Sequence, residues 1–290
     1  MLTILVPTDF SAASRAGLRF AIQWARQTRA QLTFVHVFRP SRLTRWSETE
    51  YESFASSETA LYQKRLERFV SETYRRMNVK PGRHTCLLLD GVSVEAALMD
   101  HCLKYPEVDY ICMGTRGAGR LKKILGTHTG NLILHAPVPV ISVPSGYRAR
   151  PVTSLLYATD LLRHKDEITR IVALAKTLKM SVEVLHLSPP GEPVPDIRHL
   201  GRVWTEQFGF DLKVDFRRLD ITRSLASNLE EYIQKYRPSL LVLFTDRTRS
   251  PFEKVFFPSK AEALSFRIKV PLLAFGQTPV EEPAPLPIRK

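Results

Sequence analysis

The chain has 290 residues, a length that predicts two domains of ordinary size. Hydrophobic residues make up 44% and charged residues 24%, which is typical of a folded globular protein and excludes a disordered or fibrous one. The longest apolar runs, such as SLLVLF at 239–244, are too short to cross a membrane, so no membrane partner is expected. The net charge of +13 is scattered over both halves, which favours a solvated basic surface over a nucleic-acid partner.

The first residues, MLTILVPTDF, lack the basic and apolar regions of a secretory signal, and this predicts a cytoplasmic protein. The cysteines Cys86, Cys102 and Cys112 lie in apolar segments without CxxC spacing. We expect them to be buried, reduced thiols.

In chain order, the first half alternates short strand-like runs with helical periods. The pattern predicts strands at 2–7, 32–38, 85–90, 108–114 and 138–144, and helices at 12–29, 47–77, 93–105 and 127–135. Strands that alternate with helices indicate right-handed crossovers and a parallel sheet with helices on both faces. We expect the long polar helix at 47–77 to pack against the sheet, with a cap over the crevice, the lining of a pocket or a partner contact as alternatives.

The second half repeats the first in four ordered blocks, which indicates a duplicated domain. The matched pairs are TILVPTDFS with SLLYATDLL, LTFVHVF with VEVLHLS, residues 94–117 with 224–247, and APVPVISVP with IKVPLLAFG. The fold class is therefore α/β, with two tandem doubly wound domains, each a five-stranded parallel sheet in the order 3-2-1-4-5. Domain 1 is expected at 1–148, domain 2 at 149–278, and an extended or disordered proline-rich tail at 279–290.

The last strand of each copy, in VPVISVP and VPLLAFG, has the pattern of an edge strand that can pair with another edge. We therefore expect the two domains to pack together as a pseudo-dimer within one chain. A homodimer and an unidentified protein partner are further expected associations.

The stretch CMGTRGAGRLKKILGTHTGN at 112–131 follows the predicted fourth strand. Its glycines allow close backbone approach, its basic residues supply charge, and Gly126 and Thr127 open a helix whose first amides favour an anion. Asp9 follows the first strand, and both strands end at the edge of the sheet where doubly wound domains bind ligands. From the residues alone, a phosphate site and a simple turn are equal alternatives for the loop. Asp9 either caps a helix or binds a nucleoside.

The segments ILVPTDFS, FVHVF, VDYICMGTRGAG, GTHTGNLI and APVPVISVP resemble the universal stress protein A family over the whole first half. The second half resembles a diverged copy. ATP-binding members of that family carry a loop of Gly, two residues, Gly, nine residues, Gly, then Ser or Thr. The resemblance implies the doubly wound fold and a nucleotide-binding regulatory protein of the stress response. It also implies ATP as the ligand, with Mg²⁺ held by the phosphates.

On this resemblance, Asp9 holds the adenosine end and the Val37 backbone lines the adenine pocket, while the glycine loop surrounds the ribose and phosphates. The predicted nucleotide-binding residues are Pro7, Thr8, Asp9, Val37, Gly114, Arg116, Gly117, Gly126, Thr127 and His128. His128 lies where the family uses a backbone amide. The loop departs from the family pattern because eight residues separate Gly117 from Gly126 instead of nine.

In the second half, Thr245, Thr248, Pro258 and Ser259 stand at the four motif positions, and no glycine remains. Pro258 has no N–H, so this half is predicted not to bind ATP. The alternative function is a binding protein that recognises a small molecule, a protein or a nucleic acid. No catalytic residue and no metal ligand is predicted, and at most slow ATP hydrolysis is expected.

Overall fold

The fold was obtained as a computed structural model. It describes residues 1–115, 127–159, 161, 164–188, 190–191, 193, 196–223, 225–244 and 269–276, without the side chains of 127, 128, 225 and 226. Within these ranges no helix is both long and apolar enough to cross a membrane. The predicted tail at 279–290 lies outside the described residues, and the domain boundaries at 148 and 278 stay predictions.

The first half forms the predicted succession of elements. They are β1 (Thr3–Pro7), α1 (Ala12–Thr28), β2 (Gln31–Val37), α2 (Glu48–Met77), β3 (His84–Leu89), α3 (Val94–Lys104), β4 (Tyr110–Thr115), α4 (Thr127–His135) and β5 (Val140–Pro144). Serine side chains begin α1, α2 and α3, where Ser11, Ser47 and Ser93 accept hydrogen bonds from backbone amides of the first turn. These caps place the helix starts within one or two residues of the positions that the sequence predicts.

The second half follows the same order. Its elements are β6 (Ser154–Thr159), α5 (His164–Leu178), β7 (Ser181–Ser188), α6 (Ile197–Phe208), β8 (Leu212–Arg218), α7 (Leu225–Tyr236), β9 (Leu240–Phe244) and β10 (Leu272–Phe275). Both halves have the predicted strand order 3-2-1-4-5. The predicted α/β doubly wound class is therefore confirmed.

The two halves share one ten-stranded sheet, in the order β3-β2-β1-β4-β5-β10-β9-β6-β7-β8. β5 and β10 pair antiparallel, with Leu273 opposite Ile141, whereas the other paired strands run parallel. The predicted pairing of the two terminal strands is confirmed. The sequence predicted a sheet for each domain, and the structure joins them because each half ends on an unpaired apolar edge.

Each face of this sheet carries one apolar layer that runs through both halves. Helices α1, α2, α5 and α6 cover the first face, and α3, α4 and α7 cover the second. Arg19 and Gln27 of α1 also hold the connection between the halves, through hydrogen bonds to the carbonyl oxygens of Tyr147 and Val152. The halves are thus fastened by strand pairing, by packing and by polar contacts.

The long helix α2 packs along only part of its length. Leu66 and Phe69 are buried against the sheet, as expected, but Leu61 is 59% exposed. The aromatic ring of Tyr62 stacks on His36 with 5.3 Å between the ring centroids. The second half of α2 therefore packs on the sheet as predicted, whereas its first half extends along the surface.

We predict that Leu273→Asp strongly destabilises the protein, because it places a carboxylate in the buried seam between β5 and β9. The expected loss is at least about 3 kcal/mol of unfolding free energy, measured by urea denaturation. Leu87→Asp is the control, since Leu87 lies on the edge strand β3 and is 38% exposed. Its expected loss is below about 1 kcal/mol. Equal losses in the two variants would contradict the importance of the seam.

Candidate functional site

A cavity of about 380 Å³ opens at the carboxyl ends of β1, β2 and β4. This volume lies within the range of small-molecule sites. Its lining residues are Pro7, Thr8, Asp9, Ser11, Ala13, Ser14, His36, Val37, Val94, Met113, Gly114, Thr115 and Thr129. The cavity lies beside the β1–β4 pair, where the winding direction of the sheet reverses.

Three helices direct their first turns toward this cavity. Ala13 and Ser14 belong to the start of α1, Val94 is the first residue of α3, and Thr129 lies in the first turn of α4. The unpaired amides and the dipole of a helix N-terminus favour a negatively charged ligand group. The same cavity has apolar walls at Pro7, Val37, Val94 and Met113. It therefore suits a ligand with one apolar part and one anionic part.

A tight turn after β1 forms one wall of the cavity. Phe10 has a positive φ of 64°, and its N–H donates to the Thr8 hydroxyl at 3.0 Å. The Thr8 hydroxyl also lies 2.9 Å from the Ser14 hydroxyl, which ties the turn to α1. These contacts fix the backbone between the strand and the helix.

Asp9 stands exposed at the mouth of the cavity, and one of its carboxylate oxygens accepts a hydrogen bond from the Ser11 N–H at 2.9 Å. Partial burial raises the pKa of Asp9, but hydrogen bonds from Ser11 and Ser14 outweigh it, and the pKa lies below its ordinary value. Asp9 is therefore a carboxylate at neutral pH that supports the turn. It can also accept hydrogen bonds from a ligand hydroxyl.

His36 supports the same turn from β2. Its Nδ1 lies 2.7 Å from the carbonyl oxygen of Thr8, and since a carbonyl oxygen only accepts, Nδ1 carries the proton. Burial lowers the pKa of His36, and the nearby Arg65 lowers it further, against the opposing effects of the Thr8 hydrogen bond and Asp9. The ring is thus neutral at neutral pH. It packs against Phe10 and Tyr62.

The second half contains the same turn. Leu161 has a φ of 68° and donates its N–H to the Thr159 hydroxyl, and His186 Nδ1 lies 3.0 Å from the Thr159 carbonyl oxygen. Because the threonine and histidine recur where the glycine loop is absent, their contacts belong to the fold. The equivalent aspartate, Asp160, lies outside the described residues.

Gly114 is the second-last residue of β4 and lies where α1 approaches the sheet closely. A Cβ at Gly114 would lie 1.9 Å from the carbonyl oxygen of Ala13, and a Cβ at Gly17 would lie 2.5 Å from the Gly114 nitrogen. Both positions require glycine because the backbones of α1 and β4 are in direct contact here. The sequence reasoning found Gly114 as part of a phosphate loop and missed Gly17, although a glycine inside an amphipathic helix is itself a signal of close packing.

Five of the ten predicted residues line the cavity, namely Pro7, Thr8, Asp9, Val37 and Gly114. Arg116, Gly117 and Gly126 lie outside the described residues. Thr127 and His128 form the start of α4, with their side chains outside the description. The second-half positions Thr245, Thr248, Pro258 and Ser259 are also outside it.

The sequence reasoning did not identify the other lining residues as site residues. These are Ser11, Ala13, Ser14, His36, Val94, Met113, Thr115 and Thr129. His36 could have been found through its match with His186 in the repeat. Thr129 is only 2% exposed. Its polar side chain in the first turn of α4 is a weaker sequence signal of a site residue.

The described residues include no group of three or more metal-binding side chains. Cys102 and Cys112 are buried as expected, whereas Cys86 is half-buried, and all three are free thiols. Burial raises the pKa of Cys102 to about 11, so this thiol stays protonated at neutral pH.

Comparison with known proteins finds a family match for the first half and solved structures of the same fold for both halves. The model of the universal stress protein family matches residues 1–144. A universal stress protein from Archaeoglobus fulgidus is 16% identical and matches with a TM-score of 0.69, over 94% of this chain and 98% of its own. A Pseudomonas aeruginosa protein with the same family assignment is 16% identical with a TM-score of 0.56, over 95% of this chain and 93% of its own. These likenesses show a shared fold across both halves.

A family member from Arabidopsis thaliana with AMP bound is 17% identical and covers 50% of this chain and 92% of its own. Its TM-score is 0.35. No curated protein sequence matches the chain.

We predict that Gly17→Ala destabilises the protein by about 1–3 kcal/mol in urea unfolding, because the new methyl group meets the backbone of β4. The matched control is Gly201→Ala inside α6, where a Cβ would lie 3.8 Å from its nearest neighbours. That change is expected to stabilise by up to about 1 kcal/mol, the usual effect of alanine in a helix. Stabilisation by both changes would disprove the close contact between α1 and β4.

We also predict that stability falls as the pH drops from 7.5 to 5.5. The pKa of His36 is depressed in the folded state, so the unfolded chain takes up protons first, from its ordinary pKa of about 6.5 downward. His36→Gln should reduce this fall in urea unfolding free energy. Burial also lowers the pKa of His101, which accounts for part of the remaining slope. An unchanged slope in the variant would contradict the neutral, half-buried state of His36.

Proposed function

We propose that this chain, a member of the universal stress protein family by the match over residues 1–144, is an ATP-binding regulatory protein of the stress response. In this proposal ATP binds in the first half only. The observation that carries it is the cavity beside the β1–β4 pair, where apolar walls, a carboxylate and three helix N-termini come together. The protein acts in the cytoplasm.

The adenosine part of the ligand is proposed to bind between β1 and β2. Pro7, Val37 and Val94 offer apolar surface to the base, and the backbone of Val37 ends a strand, where its polar groups can pair with the edge of adenine. The Asp9 carboxylate at the mouth accepts hydrogen bonds from ribose hydroxyls. Its lowered pKa keeps it ionised for this role.

The phosphates are proposed to lie between the end of β4 and the start of α4. Thr115 and Thr129 line this side of the cavity, and the α4 dipole favours negative charge. Gly117, Gly126, Thr127 and the backbone amide of His128 complete the phosphate contacts in the proposal, with Arg116 as a charged neighbour. Mg²⁺ is held by the phosphates themselves, and the protein supplies mainly amides and hydroxyls.

A single site per chain is supported by the changes in the second half. The shared left-handed residues Arg29 and Lys179 end α1 and α5. Counting back from them, Gly17 corresponds to Glu167, whose carboxylate accepts a hydrogen bond from Tyr157. The Tyr157 hydroxyl also lies 2.8 Å from the Thr159 hydroxyl. Large side chains thus occupy the region where the first half brings two glycines together.

The protein is proposed to act by binding, with ATP hydrolysis slow or absent. The alternative is a binding protein for another small molecule, and the loop that is one residue shorter than the family pattern favours it. The two proposals differ in the identity of the ligand and share the same cavity.

We expect freshly purified protein to release about one adenine nucleotide per chain when it is denatured and the supernatant is chromatographed, or to bind one Mg-ATP if it is isolated empty. If the protein neither retains a nucleotide nor binds added Mg-ATP, ATP is excluded as the ligand. Two ATP molecules per chain, one of which is lost in Asp160→Asn, would contradict the binding of ATP in the first half only.

Asp9→Asn is the sharpest variant, since it keeps an oxygen for the Ser11 amide and removes the charge at the ribose. The expected result is at least about tenfold weaker ATP binding in calorimetry, because hydrogen bonds to charged groups are the strong ones. Asp160→Asn makes the same change at the matching position of the second half and should leave affinity and stoichiometry unchanged. Equal effects of the two variants would contradict binding in the first half.

A further inference from the structure

A second cavity of about 490 Å³ lies at the opposite end of the first-half sheet. It is bounded by the start of β2, the end of α1 and the connection between α2 and β3. Ile22, Leu32 and Tyr74 are buried and form an apolar floor. The nucleotide cavity is at the carboxyl ends of the same strands, so the two cavities are separate.

Four basic residues surround this floor, namely Arg26, Arg29, Lys80 and Arg83, and no acidic residue lines the cavity. Within the described part of the chain, none of the four forms an ion pair. Burial raises the pKa of Tyr74 to about 12, so its phenol is neutral and adds no negative charge. The cavity thus combines an apolar floor with uncompensated positive charge.

The dipole of helix α1 accounts for two of the four basic residues. Arg26 and Arg29 lie at the carboxyl end of α1, where cations are favourable in any helix, and α5 has Lys176 and Lys179 in the same places. Lys80 and Arg83 lie beyond Asn78, the C-cap residue of α2, in the connection to β3.

The second half shows that the charge of Arg83 is specific to the first half. His84 pairs with Leu32 in one half, and Leu212 pairs with Val182 in the other. This register sets Arg83 against Asp211, so the second half has an acidic residue where the first has a basic one. The positive charge of the cavity is therefore a feature that the shared fold does not require.

We propose that this cavity binds a small organic anion that carries at least two negative charges on an apolar body. The arginine side chains pair with phosphate, sulfonate or carboxylate oxygens, for which the planar guanidinium is suited. Leu32 and Tyr74 contact the apolar body. The positive charge and the apolar floor each select one part of such a ligand, and the proposal is independent of ATP binding at the other end of the sheet.

The test uses the fluorescent dye hydroxypyrene trisulfonate and the full-length protein, with binding followed by fluorescence anisotropy at low salt. The double variant Lys80→Gln, Arg83→Gln is expected to bind the dye at least about tenfold more weakly, since two charge-assisted contacts are lost. The control Lys176→Gln, Lys179→Gln lowers the net charge equally in the second half and should bind within about twofold of the unchanged protein. All four residues changed are on the surface, and circular dichroism verifies folding.

Two further probes separate the contributions to binding. Inorganic pyrophosphate has the charge without the apolar body, so it should compete with the dye only at a concentration at least about tenfold higher than the dye itself requires. Absence of dye binding, equal weakening in both double variants, or equal affinity for pyrophosphate would overturn the proposal. So would displacement of the dye by single-stranded DNA at a concentration lower than that of the dye itself, since that would identify a nucleic-acid surface.

Discussion

The antiparallel pairing of β5 with β10 is the contact on which the architecture of this protein depends. A doubly wound half ends on an apolar strand with unpaired backbone groups, and such an edge must be covered. Here each half covers the other, which extends one sheet over ten strands and lets the helical layers on both faces continue across the seam. The duplicated domain is thus a single folded body whose outer edges are β3 and β8.

The cavity that is proposed to bind nucleotide depends on a second constraint, the close approach of α1 to the end of β4. Gly17 and Gly114 bring backbone against backbone, and this holds Ala13 and Ser14 at the wall of the cavity. The turn built by Thr8 and His36 serves both halves, so it belongs to the fold. Glycine is kept only in the half proposed to bind ATP. Structural and ligand-binding requirements therefore overlap at Gly114.

The two halves have the same fold, but they differ in the side chains at the positions of the two cavities. The first half combines the cavity at the carboxyl ends of its strands with a basic cavity at the amino ends. The second half has Glu167 at the position of Gly17 and Asp211 at the position of Arg83. Both changes replace an open or positively charged surface by an acidic side chain. The second half provides a covered sheet edge and an apolar layer for the first.

The sequence by itself determined the order of elements, the duplication, the strand order within each half and five of the residues that line the cavity, among them Asp9 and Val37. These features are local or repeated, since hydrophobic periodicity, serine caps and glycine patterns are read within a short stretch of chain. Only the tertiary structure decided that both sheets join, that Gly17 meets Gly114, and that Arg26 and Arg83 border one cavity. Each of these contacts joins residues far apart in the chain, and no local pattern encodes the distance between them.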